Sequence, residues 1–214
     1  MARDQQQSLN ELLKWSVENS DVARNDPTQP TPPSRNLNPE ILQHILGGPS
    51  DADRMRDAMT AILAPPDHVD PANKLIAWDN LEQLIEHIDN ANNLESLGMW
   101  RPLIEQLHHA EPDMRRSAAA CCSTAVQNNV KSQEKLLQHG ALPVLARMAT
   151  EDPDRAVRKK AVSALSSQVR NFQPGLDELE RCLPEDVWRR RGVEAGDMGA
   201  VDELIQTLRD HAAR

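Results

Sequence analysis

One spacing constrains the fold of this chain more than any other feature: an acidic residue followed by proline recurs at a constant step. The pairs are Asp70-Pro71, Glu111-Pro112 and Asp152-Pro153, and the prolines lie 41 residues apart (112 − 71 and 153 − 112). An acid ahead of a helix accepts hydrogen bonds from its free N–H groups, and proline loses no hydrogen bond at the first helical position. Each pair therefore predicts a helix start.

An asparagine-rich segment follows each start and predicts where that helix ends. Asparagine tolerates the left-handed backbone conformation that closes many helices. The segments are Asn90-Ala91-Asn92-Asn93, Gln127-Asn128-Asn129 and Arg170-Asn171. One helical unit is thus predicted to recur, which is typical of a helical solenoid.

Apolar residues between these starts and ends have the spacing of one helical face. Two further apolar segments, separated by a glycine, follow the first helix, so we predict three helices in each unit. Because such a helix cannot bury its apolar face alone, the units are expected to stack. In the first unit the predicted face consists of Leu75, Trp78, Leu81, Leu84, Ile85 and Ile88.

The composition favours an all-α protein. Among the 214 residues tyrosine is absent and phenylalanine occurs once, whereas β-rich proteins rely on aromatic and β-branched side chains. Ser8 and Glu11 have capping-box spacing before an apolar segment, and four prolines between residues 27 and 33 indicate a flexible linker. The predicted organisation is an amphipathic segment 1–20, a proline-rich linker 21–38, N-terminal capping helices 39–69, repeats 70–182, and an irregular segment with a C-terminal helix 183–214.

Charge and hydropathy exclude several classes of partner. The net charge of −9 argues against binding to nucleic acid or to an acidic membrane surface. Basic clusters at residues 155–160 and 189–191 are expected to be solvated faces, although the first could also contribute to a partner contact. No apolar run has the length of a membrane span and no hydrophobic signal segment opens the chain, so we expect a cytoplasmic protein.

The sequence carries no recognisable catalytic motif. A glycine-rich phosphate loop, a nucleophile elbow and a paired-histidine zinc helix are all missing from it. A metal site is conceivable but would need four converging ligands, and solvated histidines with buried thiols explain the residues better. We therefore expect no enzymatic activity, no cofactor and no metal; the residues considered for a metal site were His108, His109, Cys121, Cys122 and His139.

Specific segments resemble known families. The run Gly140–Leu145, followed by Val157-Arg158 and Ala164-Leu165-Ser166, resembles the armadillo repeat. A more specific resemblance is to the armadillo-type nucleotide exchange factors of seventy-kilodalton heat-shock chaperones, the Fes/HspBP family, especially its short fungal cytosolic members. The segments that carry it are 12–16 with 19–20, 73–75 with 79–80, 84–85 with 89–93, 124–129, and 164–167 with 170–171.

This resemblance implies an all-α, armadillo-like right-handed solenoid and a monomeric co-chaperone without chemistry of its own. Such a protein binds the ATPase domain of the chaperone, accelerates ADP release and thereby promotes client release and protein folding; fungal relatives are also linked to translation. The residues expected to contact the ATPase domain are Asn90, Ala91, Asn92, Asn93, Gln127, Asn128, Asn129, Arg158, Lys159, Arg170 and Asn171.

Each of these assignments has a structural alternative. The asparagines could serve only as helix caps. Ala91 is small enough for close approach by a partner, and we expect Ala91→Arg to abolish exchange with a nearly unchanged melting temperature. The N-terminal residues could mimic a client at the substrate-binding domain or fold back on the solenoid; they are Leu12, Leu13 and Trp15. The alternative function is a passive armadillo scaffold or transport adaptor that binds a peptide in its groove.

Overall fold

Helices form all the regular secondary structure of the described residues. The structure, a computed structural model, describes residues 48–214 together with Leu13, Lys14 and Ser16. The chain divides into two units, Met1–Ser50 and Asp51–Arg214. In the first unit Leu13, Lys14 and Ser16 are helical and their side chains are exposed.

The second unit is an all-α, armadillo-like solenoid, which confirms the predicted fold class. A single 3-10 turn, Gln106–His108, follows the fourth helix. The helices are α1 Asp51–Leu63, α2 Pro71–Ile85, α3 Ile88–Ser96, α4 Trp100–Glu105, α5 Pro112–Val126, α6 Val130–Gln138, α7 Ala141–Glu151, α8 Arg155–Val169, α9 Gln173–Cys182 and α10 Met198–Ala213.

Three helices of 15 residues, α2, α5 and α8, are the equivalent members of successive units. They begin 41 and 43 residues apart (112 − 71 and 155 − 112) and pack side by side, α2 on α5 and α5 on α8. Each has one face buried in a continuous core; on α2 this face includes Trp78, whose indole N–H donates to Met114 Sδ at 3.3 Å. α1 packs on α2, and α10 packs on α7 and α8.

Two of the three predicted helix starts are confirmed. The Asp70 carboxylate accepts a hydrogen bond from the Asn73 N–H at 3.0 Å, and Pro112 is the first residue of α5. The third prediction was wrong, because α8 begins at Arg155. There Asp154 caps the helix, because its carboxylate accepts hydrogen bonds from the backbone N–H groups of Ala156 at 2.8 Å and Val157 at 3.0 Å.

The predicted helix ends are confirmed in the second and third units and wrong in the first. Asn128 and Asn171 have the left-handed conformation, with φ of 53° and 54°. By contrast, residues 90–93 lie inside α3, and α2 has already ended at Ile85. Ile88 therefore begins the next helix, where it is 55% exposed, and is not part of the α2 face.

Buried Asn90 explains why the first unit differs. Its side-chain amide donates to the Leu84 carbonyl at 2.9 Å and to the Asp51 carboxylate at 3.0 Å. The C-terminal carbonyls of a helix need such partners. Asn90, a residue of α3, thus provides a hydrogen-bond donor for a carbonyl at the C-terminal end of α2, and the same amide also binds the Asp51 carboxylate of α1.

The segment between α9 and α10 is held by two polar side chains, of which Glu180 is buried and Gln173 is exposed. Glu180 accepts hydrogen bonds from the N–H groups of Gly192 at 2.7 Å and Val193 at 3.3 Å, and Gln173 accepts one from Ala195 at 2.7 Å. These bonds provide acceptors for backbone N–H groups of an irregular segment, which has no helical hydrogen bonds to pair them. Within residues 48–214 no helix has the length and apolar character needed to cross a membrane.

Candidate functional site

The three long helices share one solvent-facing surface, which we call the long-helix face. Its members are the residues of α2, α5 and α8 that are not buried in the core, and polar side chains link the helices along it. Thr124 Oγ1 donates to Glu82 Oε1 at 3.0 Å, and the hydroxyl groups of Ser123 and Ser167 lie 3.3 Å apart. Ala120, one turn before Ser123 and Thr124 on α5, is a small side chain that is only 5% exposed.

The predicted residues Gln127 and Arg170 lie at one edge of this face. They are the C-cap residues of α5 and α8, and Glu86 is the C-cap residue of α2. The Arg170 guanidinium forms an ion pair with Asp202 of α10. Glu86 was not among the residues predicted from the sequence, although it lies one 41-residue step before Gln127.

The asparagines that end the long helices divide into two groups. Asn128 and Asn171 are exposed and have left-handed backbone. Asn129, only 4% exposed, is the N-cap of α6: its amide donates to Ser132 Oγ at 2.8 Å and its Oδ1 accepts from the Ser132 N–H. Asn90 and Asn129 thus have structural partners, as their capping alternative predicted, whereas Asn128 and Asn171 present their side chains to solvent.

Ala91, Asn92 and Asn93 lie beside a cleft of about 370 Å³ between α3 and α6. Asn92 Oδ1 is buried and has no hydrogen-bond partner among the described residues, and Lys131 lines the opposite wall. Ala91 is only 2% exposed and belongs to the core. An arginine at position 91 would have to displace core side chains, so the expectation of an unchanged melting temperature does not fit the packing.

Arg158 was predicted to contact a partner, but its guanidinium is committed to the fold. Nη1 donates to the carbonyls of Asp152 at 2.7 Å and Pro153 at 3.2 Å, and Nε donates to the Ala212 carbonyl at 3.2 Å. The neighbouring Lys159 is exposed. Of these two basic residues, only Lys159 therefore remains available on the long-helix face.

A cation occupies the same position in all three long helices, four residues after the N-cap. In α5 this is Arg115, whose Nη1 donates to the carbonyls of His109 at 2.8 Å and Ala110 at 2.7 Å. In α2 it is Lys74, which donates to the Ala64 carbonyl. Arg158 is the equivalent cation of α8. Each of the three cations donates to one or more backbone carbonyls in the segment that precedes its helix. This set was not predicted from the sequence.

Arg115 also joins its unit to the next one. Its Nε and Nη2 donate to the two carboxylate oxygens of Asp152 at 2.8 and 2.9 Å, and both side chains are largely buried, 12% and 5% exposed. The hydrogen bonds to Asp152 raise the pKa of the Arg115 guanidinium. This pair explains why Asp152 does not cap α8.

The residues once considered for a metal site are dispersed among other contacts. His139 Nε2 lies 3.0 Å from Glu95, and this hydrogen bond, with that of Lys135, lowers the pKa of the Glu95 carboxyl. Burial raises the pKa of the Cys122 thiol to about 12 and that of Cys121 well above its usual range. Within the described part of the chain, no three His, Cys, Asp or Glu side chains are arranged to hold a metal ion.

The N-terminal prediction falls mostly outside the described residues. Leu13 is helical and 64% exposed. Leu12 and Trp15 lie outside the residues that the structure describes.

The fold and this surface define an armadillo-like repeat protein whose long helices present a continuous polar face. Two family models together match residues 9–178. The model described as nucleotide exchange factor Fes1 matches residues 9–94, and the SIL1/FES1/HPBP1 C-terminal domain matches residues 90–178. The chain belongs to the Fes1 family of nucleotide exchange factors, which confirms the resemblance seen in the sequence.

Curated relatives match over nearly the whole of both chains. Hsp70 nucleotide exchange factor FES1 of Gibberella zeae is 49% identical over 204 residues, which cover 94% of this chain and 95% of the relative. The protein of the same name from Coccidioides immitis is 48% identical over 207 residues, covering 94% and 97%. A crystal structure of an engineered protein from the Northeast Structural Genomics Consortium has a TM-score of 0.57 at 17% identity, covering 82% of this chain and 68% of that one; it is similar in fold alone.

Proposed function

We propose that this protein is a nucleotide exchange factor for a seventy-kilodalton heat-shock chaperone. The observation that carries the proposal is the match to relatives named Hsp70 nucleotide exchange factor FES1, which spans about 95% of their length. The protein binds the ATPase domain of the chaperone, accelerates ADP release and so promotes the release and folding of clients. It does this as a binding protein and not as an enzyme.

A rigid solenoid is suited to this mechanism. A protein that performs no chemistry changes the nucleotide affinity of a partner only by binding one conformation of that partner more tightly than another. A difference of about 3 kcal/mol in binding changes ADP affinity about a hundredfold. The preorganised helices lose little conformational freedom on docking, so more of the contact energy goes into distorting the partner.

Exposure decides which predicted residues we retain as contacts. Lys159, Gln127, Asn128 and Asn171 are exposed or lie at helix ends that face solvent, and Asn92 and Asn93 line the α3–α6 cleft. Arg170 remains a candidate at the edge of the long-helix face, where it would have to share its guanidinium with Asp202. For Asn90, Ala91, Asn129 and Arg158 we propose an indirect role, because they hold the surface in place.

The N-terminal 20 residues are proposed to act separately on the substrate-binding domain, through Leu12, Leu13 and Trp15. Deleting residues 1–37 tests this role. The shortened protein should accelerate ADP release as the full chain does but displace a labelled client peptide less effectively. Unchanged peptide displacement would show that the segment has no such role.

The function itself is tested by fluorescent nucleotide release. An ATPase domain loaded with labelled ADP is mixed with an excess of unlabelled ATP and increasing amounts of this protein. We expect the release rate to rise with protein concentration and then saturate. A rate equal to the spontaneous one, together with binding of an extended peptide, would favour the passive scaffold instead.

Two further properties stay predictions. Sedimentation at several concentrations tests whether the protein is a monomer, and a fluorescent fusion of the full chain tests whether it resides in the cytoplasm.

A further inference from the structure

The long-helix face has a charge gradient that runs across the three helices. At the C-cap positions, which are structurally equivalent, α2 has Glu86, α5 has Gln127 and α8 has Arg170. The charge therefore changes from negative through neutral to positive in steps of 41 and 43 residues (127 − 86 and 170 − 127).

Away from the helix ends the equivalent positions do not repeat this order, but charges of opposite sign still lie on the two outer helices. Asp79 of α2 is exposed, Ala120 of α5 is a small neutral residue, and Ser163 of α8 lies beside Lys159 and Lys160. The graded order is thus confined to the C-caps, whereas the separation of acidic and basic residues between α2 and α8 is not.

The two outer helices differ in net charge. α8 contains four basic residues and no acidic one, although the complete chain has a net charge of −9. On α2 the solvent side carries Asp79 and Glu82, whereas its one cation, Lys74, is buried and points to the Ala64 carbonyl. Such a separation is unexpected for charges that serve only to keep a surface solvated.

The charges that face solvent on this surface are mostly not neutralised within the fold. Among the described residues, Asp79, Glu86, Lys159 and Lys160 form no ion pair, while Arg170 shares its charge with Asp202. Charges of opposite sign lie near the buried Cys121 thiol of α5: behind the larger effect of burial, Glu82 and Asp79 raise the pKa of this thiol and Lys160 lowers it.

We propose that the long-helix face docks a partner surface of complementary polarity, with basic side chains over α2 and acidic side chains over α8, and that this polarity sets the orientation of the partner. The inference rests on the proposed function and takes the ATPase domain of the chaperone as the occupant. Complementary charges at the rim of an interface act mainly on the association rate and on the choice of orientation. The small side chains of α5 allow the partner to approach closely between the acidic residues of α2 and the basic residues of α8.

Reversing the charge of two basic residues of α8 tests the inference. Lys159→Glu/Lys160→Glu should slow association with the ATPase domain about tenfold at 0.1 M salt. At 1 M salt the loss should shrink to about twofold or less, because the screening length falls from about 10 Å to about 3 Å. Asp79→Lys/Glu86→Lys should slow association in the same salt-dependent way. Lys159→Gln/Lys160→Gln should give a smaller loss with less risk to folding.

A matched control separates local from global charge. Arg101→Glu/Arg189→Glu also reverses two exposed basic residues, but these lie on α4 and in the segment before α10. Association rates are measured by stopped-flow mixing, and carbodiimide cross-linking of the wild-type complex reports orientation. We expect Lys159 and Lys160 to link to partner carboxylates, and Asp79 and Glu86 to partner lysines.

The outcomes distinguish this inference from the proposed function. Wild-type protein that accelerates ADP release, combined with an equal association rate for Lys159→Glu/Lys160→Glu and the control, overturns the polarity and leaves the function standing. Cross-links that involve only residues outside the long-helix face, with none at Asp79, Glu86, Lys159 or Lys160, also overturn it. Wild-type protein that neither binds the ATPase domain nor speeds ADP release refutes both.

Discussion

Replacing Arg115 by alanine should be among the most destabilising single changes in the solenoid. The guanidinium makes four hydrogen bonds between 2.7 and 2.9 Å, two to Asp152 and two to the carbonyls of His109 and Ala110. After the change the Asp152 carboxylate, 5% exposed, keeps only the hydrogen bond from the Asp154 N–H at 2.9 Å. A buried charge without its partner is costly, whereas the intact pair need not be very stabilising.

The expected loss is about 3–5 kcal/mol, the range found when one member of a buried ion pair is removed. For a protein of this size it corresponds to a fall of about 6–20 °C in melting temperature. Urea unfolding followed by circular dichroism measures the change, and the midpoint should fall while the slope with denaturant stays constant.

Arg116→Ala is the control next to it in the sequence. Arg116 pairs with Asp113 at 3.0 Å, but both side chains are about half exposed, so the loss should stay below about 1 kcal/mol. Arg115→Met/Asp152→Asn should recover part of the stability because no buried charge is left unpaired. Equal losses for Arg115→Ala and Arg116→Ala would contradict the assignment of Arg115 as the link between units.

Three further predictions concern the core. Ala91→Arg should lower stability by about 3 kcal/mol, because a charged side chain replaces one that is 2% exposed, while Asn93→Arg beside it should have little effect on a thermal melt. Gly175→Ala should cost about 1–3 kcal/mol in urea unfolding, since the added Cβ would lie 2.7 Å from Phe172 Cδ1, whereas Gly196→Ala meets nothing within 4 Å and should be neutral. The buried thiols should make stability fall above about pH 9: the unfolded thiols ionise there while Cys122 stays protonated to about pH 12. Cys121→Ala/Cys122→Ala should flatten that decline, and an equally steep decline in this variant would exclude the thiols as its cause.

Local sequence signals predicted the helices where capping is a matter of neighbouring residues. Asp70 and Asn128 act within three residues of their own position, so the spacing of acid, proline and asparagine was enough to place them. The repetition of these signals predicted a stacked helical solenoid, and the armadillo-like assignment came from the sequence resemblance.

The failures have a common physical cause, which is a partner far away in the sequence. Asp152 looks like a cap, but Arg115, 37 residues before it, takes its carboxylate. Asn90 looks like a helix end, but it is buried against Asp51, 39 residues away. Arg158 looks like a free basic residue, but it bonds to the Ala212 carbonyl 54 residues later. Such contacts exist only after the units have stacked, and nothing in the adjacent sequence marks them.

The residues of the candidate site also fall into two groups, those that could be placed from the sequence and those whose placement depends on packing between distant segments. Lys159 could be placed from the sequence because its exposure follows from helical periodicity, and Gln127 because it belongs to the predicted end of its helix. Ala91 could not, because its burial depends on the packing of α3 against neighbouring helices. The polar links between Glu82 and Thr124 and between Ser123 and Ser167 were equally invisible, since small hydroxyl residues carry no positional signal of their own.

A repeat fold also separates structure from function at the level of single positions. The cations Lys74, Arg115 and Arg158 recur because each donates to a backbone carbonyl of the segment before its helix. Arg115 and Arg158 bind equivalent carbonyls and Lys74 binds one further back, so sameness at equivalent positions marks a structural demand. Stacking makes no such demand on residues that face solvent, and there the equivalent positions are free to diverge. The change from Glu86 to Gln127 to Arg170 is a divergence with a direction, which stacking alone does not require. A partner that binds in one fixed orientation would therefore affect the sequence through differences among equivalent exposed positions.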